Sequence, residues 1–336
     1  MMTLPKLLVL DDYEGLLATA PAMARLKQLA DVTVLDHPLA PDEMPPLRDF
    51  QVLLTLRERT QLDENLFRFC DNLELILQTG GHAYHLEKSA ATRRGIVVAL
   101  GRRVTRPTVV VPELVFGFML GLIRDIYPLT TQMANGQWPM SMGTSLAGRT
   151  LGILGYGRHG KPVARLARAF AMNVIAWDRG ASDSRHGCDV VRMPLDELLA
   201  TSDIVSIHLR LSDESRGLIN RDRIAQMKPG SFLINTSRGA IVDEDALADA
   251  LREKRIAGAG LDVFTVEPLP ASSPLRTLPN VLLTPHVGWQ VDDVLHEFVA
   301  VAADQLGLWL AGRLSSKEVV NPEAFKFSRN RIGGLA

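Results

Sequence analysis

Cysteine is nearly missing from this 336-residue chain. Only Cys70 and Cys188 occur, too few for a disulfide framework and without the spacing of metal ligands. They read as two reduced thiols in a cytoplasmic protein with no metal site. Net charge is nearly missing too, with 37 Lys and Arg against 38 Asp and Glu. That balance gives no electrostatic ground for nucleic acid or an anionic membrane as partner. Long hydrophobic runs are absent. The opening Leu7-Leu8-Val9-Leu10 ends in Asp11 and Asp12. It is too short for a leader peptide and reads as a first strand. The most apolar stretch, 109–123, is broken by Pro112 and Glu113. A membrane span needs about 20 apolar residues, so a buried helix is expected there. Short-period repeats and low-complexity segments are absent as well.

What is present is an alternation. Short β-branched apolar runs alternate with helical patterns, which argues for parallel sheets built from βαβ units. Strands are expected at 6–11, 32–36, 51–56, 73–78 and 96–100, with helices such as 22–29 and 62–69 between them. A long helix beginning near Pro112 leads to a second series at 150–154, 173–177, 204–208, 231–235, 257–261 and 281–284. Helices are expected at 162–170, 195–199 and 243–253, the last capped by Asp243, and a long one at 292–310. The chain is long enough for about two domains. The fold class is α/β, with two parallel-sheet domains, Rossmann-like and flavodoxin-like.

The second series opens with Thr150-Leu-Gly-Ile-Leu-Gly155-Tyr-Gly157-Arg-His-Gly160. A lone G-x-G-x-x-G is weak evidence, because glycines punctuate many turns. Here an apolar run enters it, a helical pattern leaves it, and a second strand ends at Asp178. That is the context of a dinucleotide site. Gly155 permits the tight turn, Gly157 lets a pyrophosphate approach, and Gly160 lets the helix pack on the sheet. The helix N-terminus attracts the phosphates. Asp178 would accept the adenosine ribose hydroxyls and repel a 2′-phosphate, favouring NAD over NADP. Arg179 beside it weakens that preference.

Three later strands end in polar residues: Asn235-Thr-Ser-Arg238-Gly, Leu261-Asp262-Val-Phe-Thr-Val-Glu267-Pro and Thr284-Pro-His286-Val-Gly288. Singly, each is an ordinary turn. Together, behind a dinucleotide motif, they suit hydride transfer to a 2-oxo acid. Histidine donates a proton near neutral pH. A carboxylate beside it orients the ring and favours its charged form. Arginine offers a fixed fork for a substrate carboxylate.

At these residues the sequence resembles the D-isomer-specific 2-hydroxyacid dehydrogenase family, over about residues 4–320. The resemblance implies catalytic roles for His286 as acid/base, Glu267 as its partner and Arg238 as carboxylate anchor. It implies NAD contacts for Arg158, His159, Leu209, Thr236, Ser237, Asp262 and Gly288, with Asp262 holding the nicotinamide amide. Arg57 and the Gly80–Gly81 loop would face the substrate. The implied fold is bilobed, with the site in a cleft between a discontinuous substrate domain, 1–103 plus 289–336, and an NAD-binding domain, 104–288. A homodimer through the NAD-binding domain is expected, and a short form without a regulatory domain. The other reading of the same fold is an NAD(H)-sensing co-repressor; a formate or phosphite dehydrogenase is a third.

The sequence departs from the family pattern in four places. His82-Ala-Tyr84-His85 replaces the usual Asp-Asn-Ile-Asp after the glycine pair, and Arg210 stands where proline is usual. Trp289 follows Gly288 where a small residue is common, and Met140-Ser-Met142 follows Trp138 as an apolar segment. All four bear on which acid is the substrate.

Overall fold

The computed structural model describes residues 4–40, 45–178 and 190–328; Arg179 and Cys188 lie outside them. The chain forms two compact units, Met1–Arg106 with Gln290–Ala336, and Pro107–Trp289.

In the first unit, β1 (Lys6–Leu10), β2 (Asp31–Val34), β3 (Val52–Thr55), β4 (Leu75–Gln78) and β5 (Val97–Leu100) lie in the order β2-β1-β3-β4-β5. All pairings are parallel, the flavodoxin-like arrangement. Strands β3, β4 and β5 are buried throughout, as parallel strands are when helices cover both faces. The helices are α1 (Leu16–Thr19), α2 (Met23–Leu29), α3 (Glu64–Phe67) and α4 (Lys88–Arg93).

A parallel sheet leaves its edge strands with unpaired backbone groups. Here the outer edge of β5 is closed by the C-terminal segment. Val320 N–H donates to the Val98 carbonyl at 3.0 Å. Asn321, fully buried, accepts from Val98 N–H at 2.9 Å and donates to the Ile96 carbonyl at 2.8 Å. Gln305 donates to the Leu100 carbonyl at 2.9 Å.

In the second unit, α5 (Pro107–Ile123) and α6 (Ile126–Ala134) precede β6 (Thr150–Leu154), α7 (Gly160–Ala169), β7 (Asn173–Trp177) and β8 (Val191–Arg192). Then follow α8 (Leu195–Thr201), β9 (Ile204–Ile207), α9 (Arg221–Gln226), β10 (Phe232–Asn235), α10 (Glu244–Arg252), β11 (Gly258–Leu261) and β12 (Val281–Leu283). The order is β12-β11-β10-β9-β6-β7-β8, all parallel. It reverses between β6 and β9, the switch point at which ligands bind in such sheets. Side chains alternate between the two faces: Ile153 and Ile204 enter one core, Leu154 and Val205 the other. The long α11 (Asp292–Leu310) returns the chain to the first unit.

Helix α5 and strand β8 are among the elements that differ from expectation. Helix α5 starts at Pro107, ahead of the expected start near Pro112. Pro112 has no N–H for the carbonyl four residues back, and Val109-Val110-Val111 before it is β-branched, so both argue locally against helix. Burial of Pro112, Val115 and Phe116 overrides them. Strand β8 has two residues, too few to show alternation. Asp243 caps α10 as expected, accepting from Ala246 N–H at 3.0 Å. Among the described residues, no helix is long and apolar enough to cross a membrane.

Asn321→Ala strips the Val98 N–H of β5 and the Ile96 carbonyl just before it of their partners. The expected loss is about 1–3 kcal/mol of unfolding free energy in a urea titration. An unchanged midpoint would show that the edge is closed by something else.

Candidate active site

Because every strand of the second sheet runs the same way, the carboxyl ends gather along one edge. Gly155, Asp178, Leu209, Thr236, Asp262 and His286 all follow strand ends there.

The glycine turn is shaped by two steric demands and one open face. Gly155 has φ +98°, and a Cβ there would sit 2.7 Å from the His208 carbonyl oxygen, with Leu209 also in contact. A Cβ on Gly160 would lie 2.2 Å from the Gly155 carbonyl oxygen, so only glycine lets α7 start this close to β6. Gly157 differs: its missing side chain would meet nothing within 4 Å. The protein does not itself require glycine there, and the space beside it is open. Arg158 is exposed. His159 is turned inward toward the Pro107 carbonyl, and burial, with the Arg158 charge, lowers its pKa. It stands at the start of α7.

At the end of β7, Asp178 Oδ1 accepts from the Tyr156 N–H at 2.6 Å. Its Oδ2 lies 3.3 Å from Nη1 of Arg192. Sequence reasoning missed Arg192, a lone arginine on the two-residue β8 with no motif around it. Beyond β10, the Thr236 hydroxyl is buried without a partner. The Ser237 hydroxyl is committed inward, to the Ile207 carbonyl at 2.7 Å.

Arg238, Glu267 and His286 come together after β10, β11 and β12. Glu267 Oε2 lies 2.7 Å from His286 Nδ1, and Oε1 accepts from Phe264 N–H at 2.8 Å. Burial alone would raise the Glu267 pKa. The hydrogen bonds from His286 and Phe264, then the His286 and Arg238 charges, outweigh it and hold the carboxyl below its ordinary value. Arg238 Nη1 donates to the Ser237 carbonyl at 2.6 Å. His286 has φ +57°, a conformation bulky residues avoid. It is held by Asp262, which accepts from Thr284 Oγ1 at 2.5 Å, Val287 N–H at 2.8 Å and Gly288 N–H at 2.9 Å. A carboxylate has about four acceptor positions, so one remains for an outside donor.

In the first unit, Arg57 and Gly80 meet. A Cβ on Gly80 would lie 2.2 Å from Arg57 Nη1, while Gly81 is open apart from the Arg102 stem at 3.9 Å. Arg57 has φ +57°, with its N–H on the Thr79 hydroxyl at 2.7 Å and its carbonyl accepting from Gln78 at 2.8 Å. Beside it stands a pair that sequence reasoning did not single out: Glu58 Oε1 lies 2.9 Å from His82 Nδ1. His82 stacks on Tyr84 at 4.7 Å between centroids. The buried His85 has both ring nitrogens without partners, and burial lowers its pKa. Among the described residues no group of His, Cys, Asp and Glu could hold a metal ion.

Comparison with known proteins places these features in a family. The profile for "D-isomer specific 2-hydroxyacid dehydrogenase, NAD binding domain" matches residues 116–288. The chain is 32% identical over 307 residues to D-3-phosphoglycerate dehydrogenase of Methanocaldococcus jannaschii, covering 90% of this chain but only 57% of that relative. It is 33% identical over 300 residues to glyoxylate reductase of Korarchaeum cryptofilum, covering 85% of this chain and 89% of the relative. The crystal structure of phosphoglycerate oxidoreductase from Vibrio cholerae superposes with a TM-score of 0.80 at 32% identity, covering 92% of this chain and all of that one.

Glu58 gives a pH test. Burial would raise its pKa, but the His82 hydrogen bond and the Arg57, His82 and His85 charges outweigh it and bring it down to about 2. A depressed folded-state pKa stabilises fully above the ordinary value of 4.5 and loses that contribution as pH falls toward about 2. The melting-temperature gap between the parent and Glu58→Gln should therefore be widest near pH ~7 and narrow by pH ~3. A gap that widens on acidification would reverse the assignment.

Proposed function

The chain belongs to the D-isomer-specific 2-hydroxyacid dehydrogenase family, and we propose that it interconverts a small D-2-hydroxy acid and its 2-oxo acid with NAD. The activity is of the 3-phosphoglycerate dehydrogenase or hydroxypyruvate/glyoxylate reductase type. The observation that carries this reading is the 2.7 Å His286–Glu267 pair, with Arg238 close enough for its charge to act on Glu267.

The residues fit NAD. The open face of Gly157 and the N-terminus of α7 suit the pyrophosphate, Asp178 the adenosine ribose, and the orphaned Thr236 hydroxyl and the spare acceptor position of Asp262 the nicotinamide side. When bound, NAD supplies or removes the hydride at the α-carbon.

The chain's own residues handle the rest. Glu267 engages Nδ1 of His286, which leaves Nε2 to give a proton to the carbonyl oxygen during reduction or to take one from the hydroxyl during oxidation. The carboxylate, kept ionised by its hydrogen bonds, fixes the orientation of the ring. Arg238 binds the substrate carboxylate and turns the α-carbon in one sense, which fixes the hydroxy isomer. Arg57, Gly80 and Gly81 take part in substrate binding on the same reading. Trp289, Arg210 and the His82–Tyr84 pair are where this chain's substrate would diverge from its relatives'.

The homodimer is proposed through the second unit. Helix α6 buries none of its own residues, and Trp138, Met140 and Met142 after it are 82%, 91% and 94% exposed. Apolar side chains so concentrated on one stretch of chain mark a surface meant to be covered. Trp138→Ser with Met142→Ser should shift the species seen by light scattering from dimer toward monomer. A parent that is monomeric throughout would remove the proposal.

The activity is tested by NADH oxidation with glyoxylate, hydroxypyruvate, phosphohydroxypyruvate and branched or aromatic 2-oxo acids. At least one should be turned over, and tight NADH binding with none turned over would favour a sensor of NAD(H) instead. His286→Ala should then lower turnover by about 100- to 10,000-fold while NADH affinity stays nearly unchanged. Equal losses in both would sink the acid/base role.

A further inference from the structure

We propose that Arg192 is a specificity residue at the adenosine end of the cofactor, and that by pairing with Asp178 it makes the site accept a 2′-phosphate, so that NADPH is used alongside NADH. The inference rests on the dinucleotide reading of the second unit and goes beyond it.

The geometry is built from three strand ends. Strand β8 lies beside β7, with Arg192 opposite Ala176, two residues before Asp178. That register carries the guanidinium to the carboxylate, with Nη1 3.3 Å from Asp178 Oδ2. The other carboxylate oxygen is already engaged by the Tyr156 N–H at 2.6 Å. The Arg192 guanidinium carbon stands 5.9 Å from the Tyr156 ring centroid, and Lys161 Nζ stands 6.0 Å from the same centroid. Both cations therefore surround the one turn that leads from β6 into α7. Arg192 Nε is buried and has no hydrogen-bond partner.

The electrostatic consequence follows from counting charges. An aspartate alone at a strand end repels a 2′-phosphate, which carries about two negative charges at neutral pH. Among the described residues, Asp178 is set here against Arg192 and Lys161, a sum of +1 over these three side chains. The carboxylate can still accept ribose hydroxyls, since each oxygen has more than one acceptor position. The arginine adds a planar fork suited to phosphate oxygens. The ion pair is therefore not merely a brace for β8.

Direct binding tests this without turnover. Calorimetric titration compares ADP with its isomer 2′,5′-ADP, in which one of the two phosphates stands on the 2′-oxygen instead of at the β position. The parent should bind both, with 2′,5′-ADP within about tenfold of ADP. Arg192→Gln should weaken 2′,5′-ADP by about tenfold or more and ADP by less than about threefold. Arg192→Lys, which keeps the charge but not the fork, should fall between them. The ratio of NADPH to NADH efficiency should drop in parallel. Equal weakening of both ligands by Arg192→Gln would mean a structural brace only and overturns the proposal. So does a parent that binds ADP but not 2′,5′-ADP, or a loss of 2′,5′-ADP binding produced by Arg179→Gln and not by Arg192→Gln. Failure of ADP itself to bind would overturn the dinucleotide reading beneath it, an outcome distinct from the others.

Discussion

Asp262 lies 1% exposed at the end of β11, and its two oxygens take three donors, all from the loop after β12. Burial drives its pKa upward against those hydrogen bonds and the His286 charge. A buried carboxyl is tolerated only when its acceptors are filled, so the loop and the acid hold each other in place. His286 is enclosed in that grip, between Thr284 on one side and Val287 and Gly288 on the other. Its left-handed backbone, of order 1–3 kcal/mol above an ordinary conformation, persists because the surroundings over-determine it. The 2.7 Å contact with Glu267 depends on this arrangement. So does the direction in which the free ring nitrogen points.

Arg57 obeys the same logic in the other sheet. It too is a non-glycine residue at positive φ, just past the carboxyl end of a parallel strand. Its peptide groups are pinned on both sides, by Thr79 and by Gln78. Strain of this kind is stored where a side chain must leave the sheet in a direction the relaxed chain would not choose.

The strand ends were legible in the sequence because their cause is local. β6 and β7 are five-residue apolar runs, and the glycine turn between β6 and α7 is fixed by contacts a Cβ could not survive. The Arg238, Glu267 and His286 candidates could be named because each follows such a run. What the sequence could not carry is partnership at a distance. Ser237 looks like a ligand contact from the sequence alone, which does not show that its hydroxyl also donates to the Ile207 carbonyl, thirty residues earlier. Arg192 looks like a surface charge until the β7–β8 register sets it against Asp178. The start of α5 was hidden because Val109-Val110-Val111 and Pro112 favour other conformations locally, and only core burial decides for helix.

The seal on β5 bears on how the chain comes off the ribosome. Residues 107–289 form a unit whose strands are all contiguous in synthesis, so it can complete itself as it emerges. The first five strands are made earlier, yet Gln305, Val320 and Asn321 close their sheet from beyond that insertion. The half of the protein that is translated first is thus finished last, and until residue 321 is free the nascent chain carries an open β edge.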